Sequence, residues 1–322
     1  MIARGAFVRL AGAAALAAGA GIGPSQGLAQ SAQTLRIALI PGDISAEAYY
    51  AKDQGFFKKA GYDVEFTPIT SGAAISAAVA SGSADLGFSN VVSLAIAHDK
   101  GVPFMLLAPA NLHVPTQVTA GILTVLKSGP IKSAKDLAGK VVAVNGLNNI
   151  SSVSVQAWID KNGGDAKSVR FVEMPFPQMP DAVRAGRVDA ASIDAANEQL
   201  LMKPDTDLRR LANVFDAVGT HFAPSCWFTT GAWIDAHPAA AKAFVAVMAE
   251  AAAWGNANHA ASAAILAKYT SKTPQDIDAV TRAPYGTKLT PDLVQPSIDA
   301  AAKYGLIKAA FPASEMISPL AR

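Results

Sequence analysis

Leu35-Arg36-Ile37-Ala38-Leu39-Ile40 alternates in hydropathy and stops at Pro41-Gly42, which reads as a strand ended by a turn. A helical stretch follows from Ala46 to Lys59 and breaks at Gly61, and Asp63-Val64-Glu65-Phe66 reads as a second strand. Ser71-Gly72 then opens a helix that runs through Val79, and after Gly82 the segment Asp85-Leu86-Gly87-Phe88 forms a third strand. The order β-α-β-α-β predicts parallel strands joined by crossover helices.

The same order returns about a hundred residues later. Val141-Val142-Ala143-Val144 stops at Gly146, a helix through Trp158 and Ile159 breaks at Gly163-Gly164, and Val169-Arg170-Phe171 follows as a strand. Met179 to Ala185 is the next helix, and Gly186-Arg187-Val188-Asp189 leads into a strand containing Ile193. Ile37 corresponds to Val142, Phe66 to Phe171, Gly82 to Gly186 and Asp85 to Asp189. Two similar α/β lobes are therefore expected. From about Trp233 the chain turns almost wholly helical, in Ala-rich stretches from Ala239 to Trp254 and from Ala260 to Tyr269. Helices alone cannot build a third sheet, so this segment is expected to pack on a lobe. The chain then crosses between lobes twice, near 112–120 and 218–226.

The remaining composition narrows the class. With 322 residues, 51% of them hydrophobic and 16% charged, the chain is neither disordered nor, having only Cys226, a disulfide scaffold. Arg4 and Arg9 account for the whole excess of 27 basic over 25 acidic side chains, so the rest carries no basic footprint for nucleic acid. Both arginines precede an apolar stretch, Leu10 to Ile22, and Gly27-Leu28-Ala29 offers small residues for cleavage before Gln30. Residues 1–29 are expected to be a secretory signal peptide, the stretch being short of the roughly 20 residues that span a bilayer.

Gly55-Phe56-Phe57-Lys58-Lys59-Ala60-Gly61-Tyr62-Asp63-Val64 resembles a stretch of the type II periplasmic substrate-binding proteins of ABC importers. Ser81-Gly82-Ser83-Ala84-Asp85-Leu86-Gly87, Ile131 to Lys140, Ala185-Gly186-Arg187-Val188-Asp189-Ala190, and His237-Pro238 before a long helix fit the same family in order and spacing. The branch it resembles handles nitrate, sulfonates, taurine, pyrimidine precursors of thiamine and some aromatic acids. The resemblance covers roughly residues 34–310. It implies two Rossmann-like lobes joined by a two-segment hinge, 30–116 plus 222–322 and 117–221, with the C-terminal helices on the first. It further implies a periplasmic monomer that hands a small solute to an inner-membrane permease and its ATPase. A ligand-sensing subunit of a membrane receptor fits the same sequence.

In parallel sheets, ligands collect beyond the carboxyl ends of strands, where helix N-termini offer free amides and a favourable dipole. The candidates in the first lobe are Asp43, Ile44 and Ser45, then Ser71, Gly72 and Ala73, then Phe88, Ser89 and Asn90. Ser71 can cap its helix while Gly72 permits close backbone approach, and Phe88 can stack on a planar ligand. In the second lobe the candidates are Asn148, Asn149 and Ser151, and Asp194, whose position in the family often contacts ligand. His221 and Cys226 flank the second crossover, lining the cleft or, for Cys226, simply filling the core. Asp85 and Asp189 are expected to fix the turn before each third strand.

Catalytic signatures are missing. The chain has no His-Glu-x-x-His, Cys-x-x-Cys or Gly-x-Ser-x-Gly, and its five histidines are scattered without metal-ligand spacing. Relatives of this fold that synthesise a thiamine pyrimidine use a Cys-rich segment, which one cysteine cannot supply. No metal or cofactor is expected. No pocket Arg or Lys stands out, which favours an uncharged or weakly acidic heterocycle over a bare sulfonate, unless Arg282 or Lys127 reaches the cleft.

Overall fold

The computed structural model describes residues 33–118, 120–195, 197, 201 and 205–321. The expected signal peptide, residues 1–29, lies outside them. The first half-repeat gives β1 (Gln33–Leu39), α1 (Ala46–Asp53), the short α2 (Phe56–Lys59), β2 (Tyr62–Pro68), α3 (Gly72–Ala80) and β3 (Leu86–Asn90). It is completed by α4 (Val91–Asp99) and β4 (Phe104–Pro109). The second gives β5 (Ile122–Leu126), β6 (Val141–Val144), α5 (Ile150–Lys161), β7 (Arg170–Glu173), α6 (Met179–Arg184), β8 (Ala190–Ile193) and β9 (Leu208–Asn213). After β10 (Ser225–Thr230) come α7 (Gly231–Ala236), α8 (Pro238–Ala257), α9 (His259–Ala267), α10 (Pro274–Asp278) and α11 (Pro291–Lys303).

Two five-stranded sheets result, ordered β2-β1-β3-β10-β4 and β7-β6-β8-β5-β9. The repeat is exact in register at its centre. Ile37 pairs with Phe66 on one side and Leu86 on the other, and Val142 pairs with Phe171 and Ala190. Asp85 accepts from the Arg36 amide at 2.8 Å and donates its own amide to the Arg36 carbonyl, also at 2.8 Å. Asp189 does the same with Val141, at 2.8 Å both ways. These aspartates therefore clip the third strand to the first in each lobe, as well as standing at the turn before it.

The sheets are mixed rather than wholly parallel. β10 runs antiparallel between β3 and β4, and β5 antiparallel between β8 and β9. Each is the first strand made after the chain crosses over, so it enters the sheet from the opposite end. The two crossovers pair where they pass. The His113 amide donates to the Phe222 carbonyl at 2.7 Å, and the Phe222 amide donates back at 3.3 Å. A two-strand neck of this kind can bend while both sheets stay intact.

Alternation in β1 explains the layering. Leu35, Ile37 and Leu39 face a core shared with α1 and α8, while Ala38 faces a second core with α3 and α4. The helices α8 and α9 pack on α1 as expected for the first lobe, but α11 lies against both α4 and α5. Its Leu293 carbonyl accepts from the Ala223 amide of the second crossover at 2.8 Å, and Tyr304 beyond its end donates to Asp160 at 3.0 Å. The amphipathic pattern of α11 thus covers the neck, not one lobe alone.

Trp227 of β10 is fully buried and donates its indole N–H to Glu47 of α1 at 2.7 Å. The other Glu47 oxygen has no partner. Burial pushes the Glu47 carboxyl up to about 8, against the opposing pull of the Trp227 bond. A folded-state affinity for protons above the unfolded one means stability is greatest at acid pH and falls as pH rises toward 8. Glu47→Gln keeps the indole bond without the charge. Urea unfolding at about pH 5 and about pH 8 should show the wild type losing on the order of a few kcal/mol that the variant retains.

Candidate functional site

The loop after β1 turns on Gly42, whose φ of 149° lies where side-chain-bearing residues are strained. That turn delivers Asp43 to a buried arginine. Arg282, between α10 and α11, donates Nε to Asp43 at 2.6 Å, Nη1 to Ser262 at 3.3 Å and Nη2 to the Tyr50 hydroxyl. Asp43 also accepts the Ala283 amide at 2.5 Å, and Tyr285 donates to the Asp43 carbonyl at 2.6 Å. Burial alone would lower the proton affinity of Arg282, but the Asp43 carboxylate and the neighbouring phenols raise it overall. The guanidinium is therefore a permanent charge, consumed by internal partners.

Beside this pair lies a cavity of about 660 Å³, in the range of small-molecule sites. Ile40, Pro41, Gly42, Asp43 and Thr70 contribute from the first lobe, and Asn145, Pro175, Phe176, Pro177, Asp194 and Asn197 from the second. The segment from Leu266 to Arg282 closes another side, with Tyr269 and Lys272. Asp194 is half-buried and accepts from the Asn197 amide at 3.1 Å and its side chain at 2.6 Å. Burial raises its proton affinity, with those bonds and the Lys272 ammonium opposing.

A smaller chamber of about 40 Å³ adjoins it, sharing Ile40, Asn145 and Phe176. It lies where the N-termini of α4 and α5 meet. Asn90 caps α4 by accepting from Ser93 at 2.9 Å, and the same oxygen accepts the Ile150 amide of α5 at 3.3 Å. Asn149 caps α5 through the amides of Ser151 at 2.9 Å and Ser152 at 3.3 Å. A single asparagine oxygen thus joins the two lobes.

The expected site residues divide three ways. Asp43 and Asp194 line the large cavity, and Ile44, Phe88, Asn90, Asn149 and Ser151 line the small one. Ser45, Ser71, Gly72, Ala73, Ser89, Asn148 and His221 line neither. Ser45 donates to the Ile40 carbonyl at 2.6 Å and Ser71 caps α3 through Ala74 at 3.3 Å. Gly72 permits close packing, since a Cβ there would meet Ser89 Oγ at 2.4 Å and Asn90 Nδ2 at 2.9 Å. Ala73, Asn148 and His221 are exposed, while Cys226 is buried in β10 against Ser89 and Pro109.

Phe176 was legible but unread. It lies 105 residues after Ser71, the offset of the repeat itself, in the loop that follows the second strand of its lobe. Nothing in the sequence marks Tyr269 or Lys272, which come from helical connections far along the chain, whereas Arg282, weighed above as a cation that could reach the cleft, does line the cavity. Replacing Asp43 with Ala would leave the Arg282 charge buried without its counter-ion. Asp43→Ala should cost about 3–5 kcal/mol in urea unfolding, part of it restored by adding Arg282→Met; loss of ligand affinity at unchanged stability would instead make Asp43 a ligand anchor.

Residues 45–262 match the family model described as NMT1/THI5 like. A putative ABC transporter periplasmic binding protein from Brachyspira hyodysenteriae is 29% identical over 171 residues, 51% of this chain and 49% of that protein. The chain therefore spans about half the length of that curated relative. Among solved structures, the periplasmic aliphatic sulphonate binding protein SsuA from Escherichia coli superposes with a TM-score of 0.72 at 20% identity, covering 89% of this chain and 92% of that one. The periplasmic nitrate-binding protein NrtA from Synechocystis PCC 6803 does so with a TM-score of 0.72 at 16% identity, covering 90% and 92%. At such identities the likeness is one of fold, that of the two-lobed periplasmic binding proteins. With well over half its length matched by the family model, the chain belongs to the NMT1/THI5-like family.

Proposed function

We propose that this protein is the solute-capturing component of an ABC importer, acting in the periplasm as a monomer after loss of residues 1–29. The observation that carries the reading is the 660 Å³ cavity lined from the strand-end loops of both sheets. A solute seated there touches Asp194 and Phe176 of one lobe and the Ile40–Asp43 loop of the other. It gains contacts on both sides only when the lobes are together, so it favours the closed form by that difference in affinity. The paired crossovers at His113 and Phe222 supply the bend. A permease with its ATPase would then read the closed form and accept the solute. The site is proposed to hold its solute without chemical change. Among the described residues no group of three or more His, Cys, Asp or Glu could hold a metal ion, and no helix is long and apolar enough to cross a membrane.

A thermal-shift screen of small solutes on the purified protein tests this. A solute present at 100 times its dissociation constant adds about 2.7 kcal/mol, and mass spectrometry should recover it unaltered. Phe176→Ala should weaken that solute about tenfold in calorimetry, by removing an aromatic contact worth about 1 kcal/mol or more. A flat melting temperature across every solute would overturn the reading, and turnover of the bound solute would replace it with catalysis.

A further inference from the structure

Asn111 Oδ1 and Ser151 Oγ are buried without any hydrogen-bond partner, in residues only 2% and 4% exposed. Both residues line the 40 Å³ chamber between the lobes. Native proteins rarely leave such atoms unpaired, because each carries its full desolvation cost. The chamber has room for one small polar group, or a few waters in its place. We propose that it receives an uncharged end of the solute carrying N–H or O–H donors, and that the site rejects bare oxyanions. The proposal rests on the solute-capture reading and names the class of solute.

At the starts of α4 and α5, several amides that could hold an anion already have partners. In α5, the Ile150 amide goes to Asn90 Oδ1, and the Ser151 and Ser152 amides go to Asn149 Oδ1. In α4, the Val91 amide goes to the Pro224 carbonyl at 2.9 Å and the Ser93 amide to Asn90. The Arg282 guanidinium is tied to Asp43, Ser262 and Tyr50, and the Lys272 charge already acts on Asp194. Among the described residues, none that lines the chamber is ionisable. Asn111 Oδ1 can only accept and would be satisfied by a donor, while the Ser151 hydroxyl can donate or accept. Ile40, Asn145 and Phe176 line both spaces, so a solute whose body fills the larger cavity would lie beside the chamber.

The test compares four probes on the purified protein by thermal shift and calorimetry: nicotinamide and 2-pyrrolidone as uncharged N–H donors, ethanesulfonate and nitrate as oxyanions. The uncharged probes should raise the melting temperature and the oxyanions should not. Ser151→Ala removes only an unpartnered atom, so the unliganded protein should melt no lower than wild type, while affinity for the uncharged probe falls by about five- to tenfold. Asn111→Leu should weaken the same probe at least as much. Tight binding of ethanesulfonate or nitrate would overturn the proposal and leave solute capture standing. A Ser151→Ala protein that melts lower yet binds the probe unchanged would make the hydroxyl structural and overturn it too. Silence from all four probes would count against both readings.

Discussion

The Asp43–Arg282 pair is the contact on which the shape of the cleft depends. It joins the loop after the first strand to a connection almost at the other end of the chain, 239 residues away. A buried ion pair contributes little net stability compared with apolar packing, but breaking one side of it is costly. Its effect here is geometric. The Asp43 turn and the 266–282 segment are held as two sides of one cavity, and the Arg282 charge is taken up by internal partners.

The asparagines do the corresponding work at the lobe boundary. Asn90 and Asn149 satisfy the first-turn amides of two facing helices, and Asn90 reaches from one lobe to the other. Capping of this kind stabilises each helix by about 1 kcal/mol. It also strips the helix starts of the free donors that make them anion sites. What remains unpaired in the chamber is the Asn111 carbonyl oxygen and the Ser151 hydroxyl.

Bending and holding are separated in this architecture. The neck consists of two extended segments paired at His113 and Phe222, flanked by α11, which touches helices of both lobes. Each sheet holds an interior strand that arrives from the other lobe, β10 in one and β5 in the other, so neither sheet is complete without the crossover that precedes that strand.

Much of this was written in local pattern. The alternation at Leu35–Ile40, its return at Val141–Val144 and the shared offset marked the three parallel strands at the centre of each sheet. The same rule about strand ends pointed to Asp43, Phe88, Asn90, Asn149, Ser151 and Asp194, and it would have reached Phe176 had the repeat been followed to the second loop. Local pattern could not say which polar residue lines a cavity. Ser45, Ser71 and Ser89 have the same composition as the lining residues, yet their neighbours in space take them up or bury them. The sequence by itself determined two α/β halves and where their loops begin, because hydropathy period and glycine breaks act over a few residues. Only the tertiary structure decided that Arg282 is spent on Asp43, that Asn90 reaches the first turn of α5 and that Asn111 Oδ1 is buried without a partner. Those outcomes depend on residues brought together from across the whole chain.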